Sequence, residues 1–365
     1  MVALGWTRER RVRASTIVGL AAALLACAAG TACAAGGTVQ RDLVFEHASP
    51  QAQPEVLLSR VTSPLRGAAT FAQLQAARAA GEPDPWPVLD LAAERFEMFV
   101  PEGAPPAAGF GLIVFVPPWE EQGLPAQWLP ALQHRGYVVV TAARSGNAQD
   151  VEVRRIPLAL TGFENARRRQ RIDPARVYVA GFSGGSRVAL RIALAYPDVF
   201  RGALLNAGSD PLGTADVPLP EPRLFGRFER GSRLVYISGT LDAAAVAADR
   251  ISRGSARDLC ISNADVLTTV GSSHAPADGP AFERALDALA APLADAAGEA
   301  ACRARRTRAI TREAGAITAL LDAGKLERAR HRLLAFDARW GGLARQMESG
   351  IAARQDATAR QVARP

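Results

Sequence analysis

Short apolar runs alternate with helical patterns through the middle of this 365-residue chain, and this alternation restricts its fold more than any other feature. Runs such as 111–116 and 137–141 are apolar throughout, which is typical of strands that are covered on both faces. Strands that alternate with helices pair in parallel through right-handed crossovers. The sequence therefore predicts a doubly wound, mostly parallel α/β sheet. The predicted strands are 95–100, 111–116, 137–141, 177–180, 202–206, 234–238 and 265–270.

Residues 1–35 have the pattern of an export signal. Arginines between Arg8 and Arg13 precede an uncharged run at 14–30, whose strongly apolar part is too short for a membrane span. Cys27 follows Leu-Leu-Ala and resembles the lipidated cysteine of a bacterial lipoprotein, whereas cleavage after Ala34 would release a soluble protein. Both routes predict an exported protein that is periplasmic, secreted or held at the outer membrane through a lipidated Cys27.

The rest of the chain divides into an extension at 36–94, the predicted α/β domain at 95–295 and a helical segment at 296–365. The net charge of +7 is concentrated at the ends: residues 301–365 hold fourteen Lys and Arg against six Asp and Glu. The middle of the chain is mildly acidic, so the sequence predicts no nucleic-acid groove. Apolar stripes on both sides of Gly324 predict a C-terminal helical hairpin, with its charges on a solvated face rather than on a lipid surface.

Cys260 and Cys302 are the cysteines outside the predicted signal. An oxidising compartment would allow a disulfide between them, and two separate buried thiols are equally compatible with the sequence. The four histidines are not clustered with cysteines at zinc-ligand spacing, so no metal site or cofactor is predicted.

The strongest chemical signal follows the strand predicted at 177–180. The chain there reads Gly181-Phe182-Ser183-Gly184-Gly185 and continues into a predicted helix at 186–195. A serine on a tight turn between strand and helix projects its hydroxyl above the sheet, and glycines on both sides leave room where a Cβ would clash. This pattern favours Ser183 as a catalytic nucleophile over a merely structural Gly-Ser turn.

On this motif and on the order of its strands and helices, the region 95–289 resembles the α/β-hydrolase superfamily. The resemblance is nearest to secreted serine esterases of the polyhydroxybutyrate-depolymerase and feruloyl-esterase kind. It implies a catalytic acid after a late strand and a histidine after the last one. Asp242 and His274 occupy those positions, and Asp210, after the preceding strand, is the competing acid. His274 would then be the general base for Ser183, oriented by Asp242.

The resemblance also implies an oxyanion hole. The Gly184 N–H supplies one donor, and the second is expected from the loop after the strand at 111–116, which reads Pro117-Pro118-Trp119-Glu120. Prolines have no N–H, so Trp119 or Glu120 must donate. Three aromatic residues, Trp119, Trp128 and Phe182, are predicted to line an apolar substrate pocket, and Arg144, Arg154 and Arg155 are interpreted as solvated charge.

These features predict an exported serine hydrolase that cleaves a small or polymeric carboxylic ester through an acyl-enzyme. Two alternatives remain. One is a serine peptidase of the prolyl-oligopeptidase type, although that class usually carries a further glycine where this chain has Ser186. The other is a catalytically silent binding or scaffold protein of the cell envelope on the same fold.

Overall fold

The computed structural model describes residues 36–293 and 299–362, with an eight-stranded sheet at the centre. The predicted signal at 1–35, with the predicted lipidation site Cys27, lies outside these residues. The strands are β1 Thr38–Leu43, β2 Phe96–Val100, β3 Phe110–Val116, β4 Tyr137–Ala142, β5 Ile172–Phe182, β6 Gly202–Asn206, β7 Arg233–Gly239 and β8 Ala264–Thr269. The helices are α1 Pro54–Val61, α2 Pro64–Ala79, α3 Leu129–Arg135, α4 Ile156–Arg169, α5 Gly184–Ala195, α6 Pro222–Gly231, α7 Ala243–Asp258, α8 Gly279–Ala290, α9 Glu299–Asp322 and α10 Leu326–Val362.

The sheet has the strand order β1-β2-β4-β3-β5-β6-β7-β8. β2 pairs antiparallel with both β1 and β4, and all the other neighbours pair in parallel. The predicted doubly wound, mostly parallel sheet is confirmed, and its topology is that of the α/β-hydrolase fold. Because the parallel strands share one direction, their carboxyl ends meet along one edge of the sheet.

Apolar side chains on both faces of the sheet explain why its central strands lack polar alternation. In β3, Leu112 and Val114 belong to the core cluster on one face, and Ile113 and Phe115 belong to the cluster on the other. All seven residues of this strand are buried. Burial on both faces requires helices on both sides, which is what the continuous apolar runs predict.

The extension 36–94 supplies one edge strand and two helices that the sequence pattern left unassigned. β1 joins the antiparallel end of the sheet through β2. On α1, Arg60 forms an ion pair with Asp198 at 2.7 Å, which fixes the helix next to the end of α5. The sequence pattern did not predict these elements because their apolar faces are short and the surrounding sequence is polar and rich in proline.

α9 and α10 are the two helices predicted for the C-terminal segment, and they meet at a turn where Gly324 has a φ of 66°. Their apolar stripes belong to the same core cluster as the sheet. The Asp337 carboxylate on α10 accepts the N–H groups of Leu65 at 3.0 Å and Arg66 at 3.2 Å, so it caps α2 from outside that helix. Among the helices described, none combines the length and apolarity needed to cross a membrane.

Candidate active site

The turn between β5 and α5 holds Ser183 in a strained conformation. Its φ is 54° and its ψ is −123°, a region that residues with a Cβ seldom occupy. Two glycines make the turn possible: a Cβ on Gly181 would lie 2.1 Å from the Gly185 carbonyl oxygen, and one on Gly185 would lie 1.9 Å from the Val116 carbonyl oxygen. The Ser183 N–H donates to the Asn206 carbonyl at 2.8 Å, which ties the turn to β6.

Ser183, His274 and Asp242 form one hydrogen-bonded chain at the carboxyl edge of the sheet. The Ser183 Oγ lies 2.8 Å from His274 Nε2, and His274 Nδ1 lies 2.5 Å from an Asp242 carboxylate oxygen. The three residues follow β5, β7 and β8, which places them side by side although they are far apart in sequence. A hydroxyl, an imidazole and a carboxylate in this order can abstract the hydroxyl proton and stabilise the resulting imidazolium.

Asp242 has two contacts that explain its position. Its second carboxylate oxygen accepts the Ala245 N–H at 3.0 Å, so it caps α7 while it contacts the imidazole. Burial opposes ionisation of this carboxyl, but the Ala245 N–H and His274 outweigh that effect and hold its pKa below the ordinary value. The Asp242 carboxylate is therefore ionised at neutral pH.

The alternative acid, Asp210, forms ion pairs with two arginines. Its two carboxylate oxygens face Arg187 at 3.3 Å and Arg191 at 2.9 Å, both on α5. These ion pairs hold the carboxylate on the helix that follows Ser183, whereas Asp242 is the carboxylate in contact with His274. The structure thus brings Asp242, and not Asp210, into the chain of three.

Two loops border the amino terminus of α5, where the Gly184 N–H is predicted to bind an oxyanion. The loop after β3 carries Trp119, whose backbone donor role stays a prediction. The loop after β4 carries Asn147, whose N–H donates to the Pro118 carbonyl at 3.0 Å. A Cβ on Gly184 would lie 2.0 Å from Asn147 Oδ1, so this carboxamide rests directly on the residue that follows Ser183.

Arg155 joins these two loops through hydrogen bonds to a carbonyl of each. Its Nε donates to the Ser145 carbonyl at 2.8 Å, and a terminal guanidinium nitrogen donates to the Pro117 carbonyl at 2.9 Å. The residue is 3% exposed, so the interpretation of Arg155 as solvated charge is wrong. Burial lowers its pKa to about 10, and Glu120 nearby opposes that shift, so the guanidinium is protonated at neutral pH. The two bonds of Arg155 form a guanidinium clamp on the Ser145 and Pro117 carbonyls. Sequence reasoning missed Asn147 and this guanidinium clamp because neither belongs to a motif.

The three predicted pocket aromatics separate into two groups. Phe182 lies beside the imidazole, with its ring centroid 5.1 Å from that of His274, and Trp119 lies 6.2 Å from Phe182. Trp128 is fully buried, stacks on Phe282 at 4.2 Å and donates its indole N–H to the Ala277 carbonyl. The prediction that Trp128 lines the pocket is wrong, because its ring belongs to the core between α3 and α8.

Cys260 and Cys302 form a disulfide, with their Cα atoms 5.8 Å apart. The bond joins the end of α7 to the first turn of α9. Of the two alternatives left open by the sequence, the structure has the bonded one.

Comparison with known proteins gives partial likenesses. No family model matches the chain. A stretch of 60 residues is 42% identical to NocK of Nocardia uniformis subsp. tsuyamanensis, which carries the name of an esterase, and it covers 15% of this chain and 17% of that protein. The chain thus spans about a sixth of the curated relative that it matches.

Three solved structures illustrate the structural neighbours. The esterase Est2 of Thermogutta terrifontis is 17% identical over 55% of this chain and 87% of its own, with a TM-score of 0.39. The S-formylglutathione hydrolase FrmB of Staphylococcus aureus is 11% identical over 54% of this chain and 93% of its own, with a TM-score of 0.39. A puromycin-hydrolysing peptidase of Mycobacterium tuberculosis is 19% identical over 53% of this chain and 36% of its own, with a TM-score of 0.40.

Proposed function

We propose that this α/β-hydrolase is a serine esterase that cleaves a carboxylic ester through an acyl-enzyme on Ser183. The observation that carries the proposal is the continuous chain of hydrogen bonds from Ser183 Oγ through His274 to Asp242. The apolar surface formed by Phe182 and Trp119 beside this chain supports an acyl group or an aromatic group as the neighbouring part of the substrate.

Each half-reaction moves one proton through His274. In acylation, the Ser183 Oγ bonds to the ester carbonyl carbon while its proton passes to His274 Nε2. The bond to the alkoxy oxygen then breaks, and the same proton passes to the leaving alcohol. In deacylation, a water molecule gives its proton to Nε2 and bonds to the acyl carbon, and Nε2 returns the proton to Ser183 as the acid leaves. Throughout, Asp242 stabilises the imidazolium.

We also propose that the chain is exported, with Cys27 as its lipidation site. The pattern of residues 1–35 supports export. The Cys260–Cys302 disulfide supports it independently, because such bonds persist in oxidising compartments. Metabolic labelling with an alkyne fatty acid tests the anchor: the label should enter the wild-type protein and should be absent from Cys27→Ser.

The enzymatic proposal is tested with a fluorophosphonate probe and mass spectrometry. The probe should form an adduct at Ser183 in the wild-type protein and none in Ser183→Ala. A panel of acyl esters and peptide amides should then show turnover of the esters. Cleavage of the amides alone would replace the esterase by a peptidase, and absence of both adduct and turnover in folded protein would favour the silent scaffold.

A further inference from the structure

We propose that the side-chain carboxamide of Asn147 donates a hydrogen bond to the oxyanion that forms at Ser183, alongside the Gly184 N–H. The inference rests on the proposed function, and it concerns a residue outside the Ser-His-Asp chain. Asn147 lies in the loop after β4, five residues beyond the end of that strand.

The first support is the position of the carboxamide. A Cβ built on Gly184 would lie 2.0 Å from Asn147 Oδ1, 2.7 Å from Cγ and 3.1 Å from Nδ2. The amide therefore lies against the Cα of Gly184, the residue whose N–H is predicted to bind the oxyanion. Asn147 is exposed, so its amide is open to a substrate and can turn by half a turn to exchange Oδ1 and Nδ2.

The second support is the glycine at position 184. Gly184 is the first residue of α5 and is not among the residues with positive φ, so its backbone accepts a side chain. The three heavy atoms nearest to its missing Cβ all belong to the Asn147 carboxamide. The absence of a side chain at 184 is thus explained by the space that this amide needs.

The third support is the scarcity of main-chain donors in the facing loop. Pro117 and Pro118 have no N–H, which removes two of the donors that the loop after β3 could offer. An amide from the neighbouring loop supplies a replacement. A side-chain amide is a proven type of oxyanion donor in serine hydrolases.

The loop that carries Asn147 is held rigidly. The Asn147 N–H donates to the Pro118 carbonyl at 3.0 Å, and Arg155 donates to the carbonyls of both Ser145 and Pro117. These bonds fix the backbone of the loop, so the carboxamide needs only a rotation of its own side chain to donate, and the reorganisation when charge develops is small. The Arg155 guanidinium would act through these two carbonyls, which makes it a positioning group.

The test compares Asn147→Ala and Asn147→Asp with Gln149→Ala, a variant that removes a carboxamide from the same loop but one directed at Glu120. Loss of one oxyanion donor lowers kcat by about 100-fold and leaves KM nearly unchanged. We expect that loss in Asn147→Ala, an equal or larger loss in Asn147→Asp, and wild-type kcat in Gln149→Ala. Binding of a trifluoromethyl ketone, which forms an oxyanion on Ser183, should weaken by the same factor as kcat/KM falls.

Gly184→Ala provides an independent arm, because the new Cβ must displace the carboxamide. It should lower kcat about as much as Asn147→Ala does, and in the Asn147→Ala background it should cost little more. If Asn147→Ala retains kcat within about twofold while Ser183→Ala is inactive, the inference is overturned and the proposed function stands. If wild-type Ser183 forms no fluorophosphonate adduct, both are overturned.

Discussion

At the scale of single residues, the site depends on strain and burial that neighbouring groups compensate. Ser183 has a φ of 54°, a conformation that costs about 1–3 kcal/mol and persists only where the surroundings enforce it. The bond from its N–H to Asn206 and the close approach of Gly181 to Gly185 enforce it here. The hydroxyl is consequently fixed at the position where His274 can take its proton.

The contact between Asp242 and His274 gives a sharp prediction at this scale. Asp242→Asn should lower kcat by about 10⁴-fold, because the amide cannot stabilise the imidazolium or hold its tautomer. Asparagine still caps α7, so the melting temperature should change little. Asp210→Asn is the matched control and should retain kcat within a few-fold. The reverse ranking of the two variants would assign the role to Asp210.

The guanidinium clamp of Arg155 gives a second prediction at the scale of residues. A lysine at position 155 offers one compact ammonium and cannot reach both the Ser145 and Pro117 carbonyls as the planar guanidinium does. We expect Arg155→Lys to lower kcat about tenfold with little change in KM, and to cost about 1–2 kcal/mol of unfolding free energy measured in urea. Arg154→Lys is the control. A loss of stability with unchanged kcat would restrict Arg155 to a structural role.

At the scale of elements, the strand–helix order was predictable and several local devices were not. The strands β3, β4 and β7 are recognisable in the sequence as continuous apolar runs because both of their faces are covered. The elbow and the two partners after β7 and β8 follow from that order. The burial of Arg155 was not predicted, because this residue ends a π-helical turn, Val151–Arg155, and an Arg-Arg pair in the sequence does not show which of its two side chains is buried.

Pairing between distant elements also escaped prediction. Asp337 caps α2 across 272 residues of sequence, and the Arg60–Asp198 ion pair spans 138. Periodicity identifies the helices that carry these residues but holds no information on which helices meet. Trp128 illustrates the same limit, since an aromatic next to a predicted loop fits a pocket or a core equally until α8 is placed against it.

The contact of α10 with α2 predicts a pH-dependent stability. Glu348 is 1% exposed, and burial together with the neighbouring Asp337 raises its pKa to about 9. Between its ordinary value of 4.5 and that value, the unfolded chain has lost the proton that the folded chain keeps, so this group lowers stability as pH rises. Glu348→Gln should therefore raise the melting temperature at pH 8 by more than at pH 5.

Glu327→Gln is the matched control for that experiment. Glu327 is exposed near the start of α10, so its neutralisation should leave the dependence of melting temperature on pH unchanged. If Glu348→Gln melts in parallel with the wild-type protein at every pH, then Glu348 is ionised in the folded state.

At the scale of the whole molecule, the C-terminal helices and the sheet share one core. Ile317, Phe336 and Trp340 belong to the same apolar cluster as the central strands. Arg306 on α9 pairs with Glu229 on α6 at 3.1 Å, and both side chains are almost fully buried. We therefore expect the sheet and these helices to unfold together in one transition.

The disulfide sets how stable that unit is. It closes a span of 42 residues, and a loop of this length stabilises the folded state by about 3–4 kcal/mol through the restriction of the unfolded chain. The Cys260→Ser/Cys302→Ser double variant should lose roughly that amount in urea unfolding. Dithiothreitol should destabilise the wild-type protein and leave the double variant unaffected. An equal unfolding midpoint for the two proteins would contradict the prediction.

The His274 side chain is 51% exposed although it lies at the centre of the hydrogen-bonded chain. If Ser183 carries an acyl group as proposed, bulk water can reach that group without the movement of any segment. Product formation from a dissolved substrate should begin at its full steady rate, with no lag, and it should gain nothing from added detergent micelles or an oil–water boundary.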